Sequence, residues 1–240
     1  IDCTGFDPEG NGKGFIPVGN NIERFTGSFD GNGHTISNLT INRPLEDYAG
    51  LFGYALGGTF QNVNISGSIT GGAGTVGSLI AYSNTNQLII QNVTSSASVS
   101  GIQYMGGLLG SISMDAIITN SSYTGNITAT VPDGWGGISD IGGLAGYLEE
   151  GSTIDASMAS GTISVTVSDG GDVYYVGGLI GEYHGASISN SESTMHIDIS
   201  GHGVVSGIGG IAGYYQNTGA LVDGVAVSGN INIETMSGDP

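Results

Sequence analysis

Short apolar runs, separated by glycine, asparagine and serine, repeat along the chain at an almost regular interval. Six segments share the form Gly-Leu-x-Gly or a close variant of it. Their central apolar residues lie 28, 29, 36, 35 and 32 positions apart and are Leu51, Leu79, Leu108, Leu144, Leu179 and Ile211. Runs this short, rich in Ile, Val, Thr and Tyr and bounded by turn residues, predict strands rather than helices.

The repeat also predicts how these strands are arranged. One coil of about 30 residues cannot bury its own apolar face, whereas parallel coils stacked about 4.8 Å apart share a hydrogen-bond ladder and a continuous aliphatic core. We therefore predict an all-β fold, a single-stranded parallel β-helix (a β-solenoid) of about six to seven coils with repeats of 28–36 residues. Residues 29–240 would form this repeat domain, and residues 1–28 an N-terminal cap or an arm exchanged with a neighbour.

A polar column is predicted at one turn of each coil. Its members each follow an Ile, Phe or Leu by two residues and are Asn38, Asn62, Asn92, Asn120, Asn190 and Asp223, with Ala156 filling the remaining place. Stacked coils would bring these side chains above one another, where amides bond to the turn backbone and to each other. The alternative is that Asn is simply a frequent turn residue in this chain.

Residues 25–236 resemble the GLUG-type repeats of bacterial and archaeal surface proteins, which carry a Gly-Gly-Leu-x-Gly core followed by an Ile-x-Asn step. Residues 25–41 and 48–53 look like the start of such arrays in large adhesins and in the non-catalytic part of IgA-peptidase-like proteins. The chain departs from the pattern at Ser78, Ala81 and Ala156. The resemblance implies a β-solenoid that serves as a display or adhesion module.

Charge and apolar length limit the partners. The net charge is −18, and Lys13, Arg24 and Arg43 are the only basic residues. Nucleic acids and anionic membrane surfaces require clustered cations, so neither is an expected partner. No apolar run approaches the roughly 18 residues of a membrane span, and membrane insertion is not expected either. We expect an extracellular or cell-surface location.

Catalysis is not predicted. A hydrolase needs two carboxylates that converge on one face, and the coil that holds Glu149, Glu150 and Asp155 is flanked by coils with mostly Ser, Thr, Asn or Gly at the corresponding positions. A solvated turn is the better interpretation. The histidines show no metal-type spacing and are His34, His184, His196 and His202. We assign no catalytic residue.

Calcium is the one cofactor that the sequence suggests. Asp133 and Asp140 lie in one long loop, and Asp169 and Asp172 lie in the next. Carboxylates beside carbonyl groups of glycine-rich loops are the ligands that Ca²⁺ prefers, although the spacing matches no EF-hand. The alternative is that these loops hold no ion.

Two interruptions of the repeat carry aromatic residues. Insertions at the same phase of a solenoid emerge on the same side, so Trp135, Tyr174 and Tyr175 could form one ligand-binding patch for a glycan or a surface protein. The alternative is that these rings cover loop backbone. A further column follows the repeated glycines, is interpreted as packing, and consists of Tyr54, Tyr82, Tyr147 and Tyr214.

These patterns lead to one functional prediction. We expect an extracellular structural or adhesive module that joins neighbouring domains, or copies of itself head to tail in surface fibres, through the open ends of the solenoid. The alternative is a carbohydrate-binding or non-catalytic domain of a surface peptidase or of a long adhesin.

Overall fold

The structure, a computed structural model, is a stack of about six β-strand coils, so the predicted parallel β-solenoid is confirmed. It describes residues 1–72, 74–85, 87–131, 134–167, 170–201, 203–216 and 221–235. Within these ranges the regular structure is β-strand, and no helix is present that could cross a membrane. Strands of successive coils pair in parallel.

Short strands build every coil. In chain order they are β1 (Phe29–Arg43), β2 (Tyr48–Ala49), β3 (Phe52–Ala55), β4 (Gly58–Gly71), β5 (Thr75–Gly77), β6 (Ile80–Ser83), β7 (Leu88–Ser95), β8 (Ser98–Gly101), β9 (Met105–Gly106), β10 (Leu109–Ile112), β11 (Ala116–Thr119), β12 (Ser122–Tyr123), β13 (Ile127–Val131), β14 (Gly137–Gly142), β15 (Ala145–Leu148), β16 (Thr153–Asp155), β17 (Met158–Val167), β18 (Asp172–Gly177), β19 (Ile180–Tyr183), β20 (Ser187–Ser189), β21 (Glu192–Gly201), β22 (Val205–Gly209), β23 (Ala212–Tyr215), β24 (Leu221–Asp223), β25 (Ala226–Val227) and β26 (Ile231–Thr235).

Three sheets run the length of the stack. Sheet I bends at the asparagine corner of each coil. Its 14 strands are β1, β4, β7, β8, β11, β12, β13, β16, β17, β20, β21, β24, β25 and β26. Sheet II consists of β3, β6, β10, β15, β19 and β23. Sheet III consists of β2, β5, β9, β14, β18 and β22. Each coil therefore passes through sheet III, sheet II and sheet I in turn.

The repeated apolar residues form a ladder inside the stack. In the central coils, the backbone N–H of each repeated apolar residue donates to the carbonyl oxygen of the matching residue in the next coil. Leu108 donates to Leu144 (3.0 Å), and Leu144 donates to Leu179 (2.7 Å). The side chains of these residues are buried, whereas Ile211, in the last coil that the structure describes, is only half-buried. The core is thus continuous from coil to coil.

Glycine allows sheets II and III to meet at a sharp corner. A Cβ atom on Gly142 would overlap the carbonyl oxygen of Ala145 and lie 2.6 Å from both the Gly181 nitrogen and the Ile180 Cα. Such approaches of backbone to backbone exclude every side chain larger than hydrogen. The glycines of the repeat are therefore required by packing between adjacent coils.

Four of the predicted column residues lie at one corner of sheet I. They have φ angles of 47° to 55° and are Asn62, Asn92, Asn120 and Asn190, and Ala156 has a φ of 47° in the fourth coil. Asparagine tolerates this left-handed conformation better than most residues. The amide of Asn92 donates to Asn62 Oδ1 (3.0 Å), and the amide of Asn190 donates to Asp155 Oδ1 (2.8 Å).

The other two predicted members belong elsewhere. The Ile36 position pairs with Ile65, so Asn38 lies at a different bend, where its amide donates to Asp2 Oδ1 at 2.9 Å. Asp223 pairs with Ser189, and Gly224 is the residue with positive φ in that coil. Both assignments are corrected, because counting from the preceding apolar residue does not allow for register shifts between coils.

A column of buried serines, which the sequence analysis missed, directly follows the asparagine corner. The hydroxyl oxygens of Ser121, Ser157 and Ser191 each accept a backbone N–H from the preceding coil at 3.2 Å. Each hydroxyl also donates to a carbonyl oxygen two residues earlier in its own coil. These serines satisfy backbone groups that the corner would otherwise leave unpaired.

We expect Ser157→Ala to lower the free energy of unfolding by about 1–3 kcal/mol, because the buried N–H of Ser121 loses its acceptor. Ser98→Ala, at an exposed position of β8, is the matched control and should change stability by less than about 0.5 kcal/mol. Urea denaturation of the three proteins measures both effects. Equal midpoints for the two variants would contradict a stabilising role of the serine column.

Residues 1–28, here called the capping segment, lie against the first coil of their own chain. The backbone N–H of Cys3 donates to Ser37 (2.8 Å), and that of Phe25 donates to Tyr54 (2.9 Å). Arg43, which is buried, forms ion pairs of 2.8 Å with both Glu9 of the capping segment and Glu46. The segment thus covers strand edges at the N-terminal end of the stack.

Candidate functional site

Tyrosines line the corner where the outer faces of sheets II and III meet. The tyrosine stripe, as we call it, runs along the stack and consists of Tyr48, Tyr54, Tyr82, Tyr104, Tyr147, Tyr175 and Tyr214. The sequence analysis placed only the sheet II members in a column, and named Tyr175 as part of a separate patch. Those of sheet III come from a second column, which the spacing of the apolar residues does not reveal.

Residues of that second column have a left-handed backbone conformation, which their neighbours in sheet III do not have. Tyr104, Asp140 and Tyr175 have φ angles of 49°, 62° and 55°, and Gly207 has a φ of 69° in the next coil. The left-handed residue interrupts the regular alternation of sheet III, since Ser139 pairs with Tyr174 and Ile141 with Val176 on either side of it. Non-glycine residues adopt this conformation only where the surrounding structure enforces it.

At its N-terminal end the stripe is a packed aromatic cluster. The ring centroids of Tyr54 and Tyr82 are 4.9 Å apart, and Tyr48 lies 5.4 Å from Tyr54. The guanidinium carbon of Arg24, from the capping segment, lies 4.8 Å from the centre of the Tyr54 ring. A cation therefore occupies this end of the stripe.

Further along, acidic residues join the rings. The imidazole of His184 lies 5.6 Å from the Tyr147 ring and 5.9 Å from the Tyr214 ring. Its Nε2 is 2.6 Å from Glu182 Oε1, and the Tyr175 ring lies 4.8 Å from the Tyr214 ring at a tilt of 41°. This end of the stripe thus combines aromatic faces with a partly exposed carboxylate.

Asp140 and Glu182, here called the acid pair, lie within hydrogen-bonding reach of each other. Asp140 is 2% exposed, and its Oδ2 accepts a hydrogen bond of 2.6 Å from Ser139. Within the described ranges its Oδ1 receives no hydrogen bond. Burial, and secondarily the contact with Glu182, raise the pKa of Asp140 to about 8. Near neutral pH Asp140 therefore retains its proton.

The acid pair does not have the geometry of a glycosidase. The two catalytic carboxyl groups of those enzymes are separated by about 5 Å or more, which leaves room for the sugar or for water. Asp140 and Glu182 are in direct contact instead. Of the acidic residues considered from the sequence, Glu149 accepts a hydrogen bond from Tyr147 (2.6 Å), and Asp155 accepts one from Ser189 (2.7 Å).

The predicted aromatic patch draws on two adjacent coils of the structure. Trp135 is 42% exposed, while Tyr174 and Tyr175 lie in β18 with ring centroids 6.1 Å apart. Tyr174 pairs with Ser139, four residues after Trp135, and Trp135 itself precedes β14. Tyr175 belongs to the tyrosine stripe, and glycan binding at Trp135 stays a prediction.

Two of the four predicted calcium ligands, Asp140 and Asp172, lie among the described residues. Asp133 and Asp169 lie outside the described residues. Asp140 belongs to the acid pair, and the two oxygens of Asp172 accept hydrogen bonds of 2.8 Å from the Val204 N–H and the Tyr174 hydroxyl. In the part of the chain that the structure describes, no three His, Cys, Asp or Glu side chains cluster as metal ligands.

Comparison with known proteins agrees with this architecture. The family model described as the GLUG motif matches residues 172–200, which form most of the fifth coil. Halomucin from Haloquadratum walsbyi is 40% identical over 116 residues, which is 47% of this chain and 1% of halomucin. A putative Gly-rich membrane protein from Evansella cellulosilytica is 35% identical over 96 residues, which is 39% of this chain and 11% of that protein.

A solved structure shares the fold. The chain superimposes on part of an IgA1 protease with a TM-score of 0.57 and 24% identity, over 89% of this chain and 17% of that one. The repeat match and this fold fit a GLUG-repeat β-solenoid domain, in agreement with the resemblance. It is a surface-protein-like β-helix module. The chain spans only a small part of the relatives that it matches.

Proposed function

We propose that this domain is a non-catalytic structural and adhesive module of an extracellular or cell-surface protein, and that it joins further β-solenoid coils through its C-terminal face. The observation that carries the proposal is the apolar surface of the last coil. The GLUG match and the similarity to part of halomucin support a non-catalytic role.

The last coil exposes residues that every preceding coil buries. Ile231 and Ile233 are 46% and 44% exposed, whereas their partners in the preceding coil, Ile197 and Ile199, are 0% and 2% exposed. Other apolar residues exposed in this coil are Leu221, Val222 and Val227. An uncovered parallel strand edge with an apolar core beside it is a template for another strand. A further coil with the same pattern would bury these side chains.

The two ends of the stack differ. Residues 1–28 cover strand edges of the first coil, so joining through that end requires the capping segment to leave its place. The C-terminal face needs no such rearrangement. We therefore propose that this face pairs with a following coil of a longer protein, or with a second copy whose capping segment has been displaced. The second case gives the head-to-tail fibres expected from the sequence.

Sedimentation velocity over a wide concentration range tests joining through this face. We expect the wild-type protein to associate as concentration rises, and the double variant Ile231→Lys with Ile233→Lys to remain monomeric, because charge on an exposed edge opposes strand pairing. A double variant that adds the same charge at exposed positions of sheet I, Thr128→Lys with Thr166→Lys, is the control and should associate like the wild type. A monomeric wild type would contradict pairing between copies and the head-to-tail fibres, and an edge variant that still associates would contradict joining through the C-terminal face.

A further inference from the structure

Every lysine and arginine of the chain lies where the capping segment meets the first coil. The chain has three basic residues against 21 acidic ones. Lys13 of the capping segment pairs with Glu46 at 3.3 Å, and Arg24 of the same segment lies over the Tyr54 ring. Arg43, from β1, contacts the segment from the other side of the junction. In a chain of net charge −18, the basic side chains are thus confined to this one place.

Arg43 holds the capping segment through its guanidinium group. Its Nη2 donates to Glu9 (2.8 Å) and its Nε donates to the Phe15 carbonyl oxygen (3.1 Å), both in the capping segment. Its Nη1 donates to Glu46 (2.8 Å), just beyond β1. The arginine is 4% exposed. A guanidinium group this far from water needs such partners, because an unpaired buried charge is strongly destabilising.

Arg43 occupies a position that is apolar or glycine in the other coils of sheet I. Its backbone pairs with Gly71, and the same inward-facing column continues through Ala129, Val165, Ile199 and Ile233. A second copy that stacked its last coil here in the same register would place its Ile233 against the guanidinium group. While Arg43 stays in the column, its charge therefore opposes continuation of the stack at this end.

The capping segment does not fill the end of the core completely. An open cavity of about 350 Å³ remains between the segment and the first coil. Apolar residues of both line it, including Phe15, Phe25, Phe29, Leu39 and Phe52. Apolar walls without partner atoms lose dispersion contacts. The segment therefore depends on its polar contacts, and of its ion pairs those of Arg43 are the most buried.

We propose that Arg43 controls the joining of copies: it holds the capping segment over the N-terminal end, and only molecules whose segment has opened can accept the last coil of a second copy. This inference rests on the proposed function, because it concerns the partner of the C-terminal face. The apparent affinity between copies is reduced by the fraction of molecules that are open. Substitutions that weaken the contacts of Arg43 should therefore increase association.

Trypsin measures opening of the segment independently of association. It cleaves after lysine and arginine, and a proline follows the third basic residue and blocks cleavage there, which leaves the bonds after Lys13 and Arg24. The Lys13 carbonyl oxygen accepts the N–H of Asn42 (2.9 Å). The N–H of Phe25, next to Arg24, donates to Tyr54 (2.9 Å). Since both bonds are tied to the first coil, the rate of cleavage follows the open population.

Glu9→Gln should raise the initial rate of tryptic cleavage by about threefold to tenfold, because Arg43 loses one ion pair. Glu23→Gln makes the same change of charge at an exposed position of the segment and is the matched control, with a rate within about twofold of the wild type. Arg43→Ile should raise the rate by about tenfold or more. Far-UV circular dichroism of each variant separates opening of the segment from unfolding of the coils.

Sedimentation velocity of the same proteins measures the effect on joining. Arg43→Ile should associate at least about tenfold more tightly than the wild type, because it opens the segment and completes the apolar column. Glu9→Gln should show a smaller gain, and Glu23→Gln none. Adding Ile231→Lys and Ile233→Lys to Arg43→Ile should abolish the gain, because the C-terminal face is then charged.

The two measurements distinguish the possible failures. Equal cleavage rates for the wild type, Glu9→Gln and Arg43→Ile would overturn the role of Arg43 in holding the segment. Faster cleavage with the association of the wild type unchanged would overturn its control of joining. If cleavage became faster but neither the wild type nor any variant associated, the joining of copies would be contradicted, and its control with it, while the role of Arg43 in holding the segment would stand.

Discussion

Replacing Gly142 by alanine is expected to lower the free energy of unfolding by about 3 kcal/mol or more. The new Cβ atom would overlap the Ala145 carbonyl oxygen and approach the Gly181 nitrogen and the Ile180 Cα to 2.6 Å. These are backbone atoms of two stacked coils. Relief of the overlap would require the coils to separate, which would lengthen hydrogen bonds on both sides of the corner.

Denaturation in guanidinium chloride measures this loss, with Gly136→Ala as the matched control. A Cβ on Gly136 would meet no atom within 4 Å, and its φ lies outside the positive region. That substitution should be neutral or stabilise the protein by up to about 1 kcal/mol, because alanine restricts the unfolded chain. If both variants unfolded at the wild-type midpoint, the close packing of sheets II and III would be contradicted.

Asp140→Asn is expected to stabilise the protein by about 3 kcal/mol at pH 8.5. Burial and the Glu182 carboxylate raise the pKa of Asp140 from its ordinary value of 3.8 to about 8. Between these two values the folded state binds a proton that the unfolded state has released, so wild-type stability falls as pH rises. The amide avoids this loss and can donate to Glu182. Asparagine also tolerates the φ of 62° at this position.

The gap in stability between variant and wild type should be small near pH 4, grow up to about pH 8 and stay constant above it. Asp172→Asn is the control, because hydrogen bonds from the Val204 N–H and from Tyr174 lower the pKa of Asp172. Its carboxylate contributes stability above its ordinary pKa and loses it as pH falls. The control should therefore be destabilised at pH 8.5, opposite in sign to Asp140→Asn. A gap that does not change with pH would contradict the raised pKa of Asp140.

The two polar columns show where prediction from sequence stops. Asn92 and Asn120 could be aligned from sequence because the Ile-x-Asn step keeps its length in the central coils. At the two ends the step is shifted, so Asn38 and Asp223 were assigned to the wrong position. The serine column was overlooked, because serine is abundant in this chain and only backbone geometry shows which hydroxyls are buried.

Function-related residues were harder to predict than the fold. Glu182 stands in the sheet II column between Tyr147 and Tyr214, where the sequence shows only an interruption of a tyrosine pattern. Asp140 was considered a calcium ligand in a long loop, but it lies buried in β14. Their contact joins residues 42 positions apart, on different sheets and in successive coils.

The repeated Gly-Leu-x-Gly segments could thus be predicted from the sequence, whereas the full tyrosine stripe is seen only in the folded chain. Repetition of apolar residues and glycines in the sequence is sufficient to establish coils, their period and their parallel stacking, because each coil can bury its apolar face only against a copy of itself. Contact between the outer faces of sheets II and III depends on the left-handed residues and the angle of the corner. That angle is determined by tertiary packing, and it brings the side chains of Asp140 and Glu182 into contact.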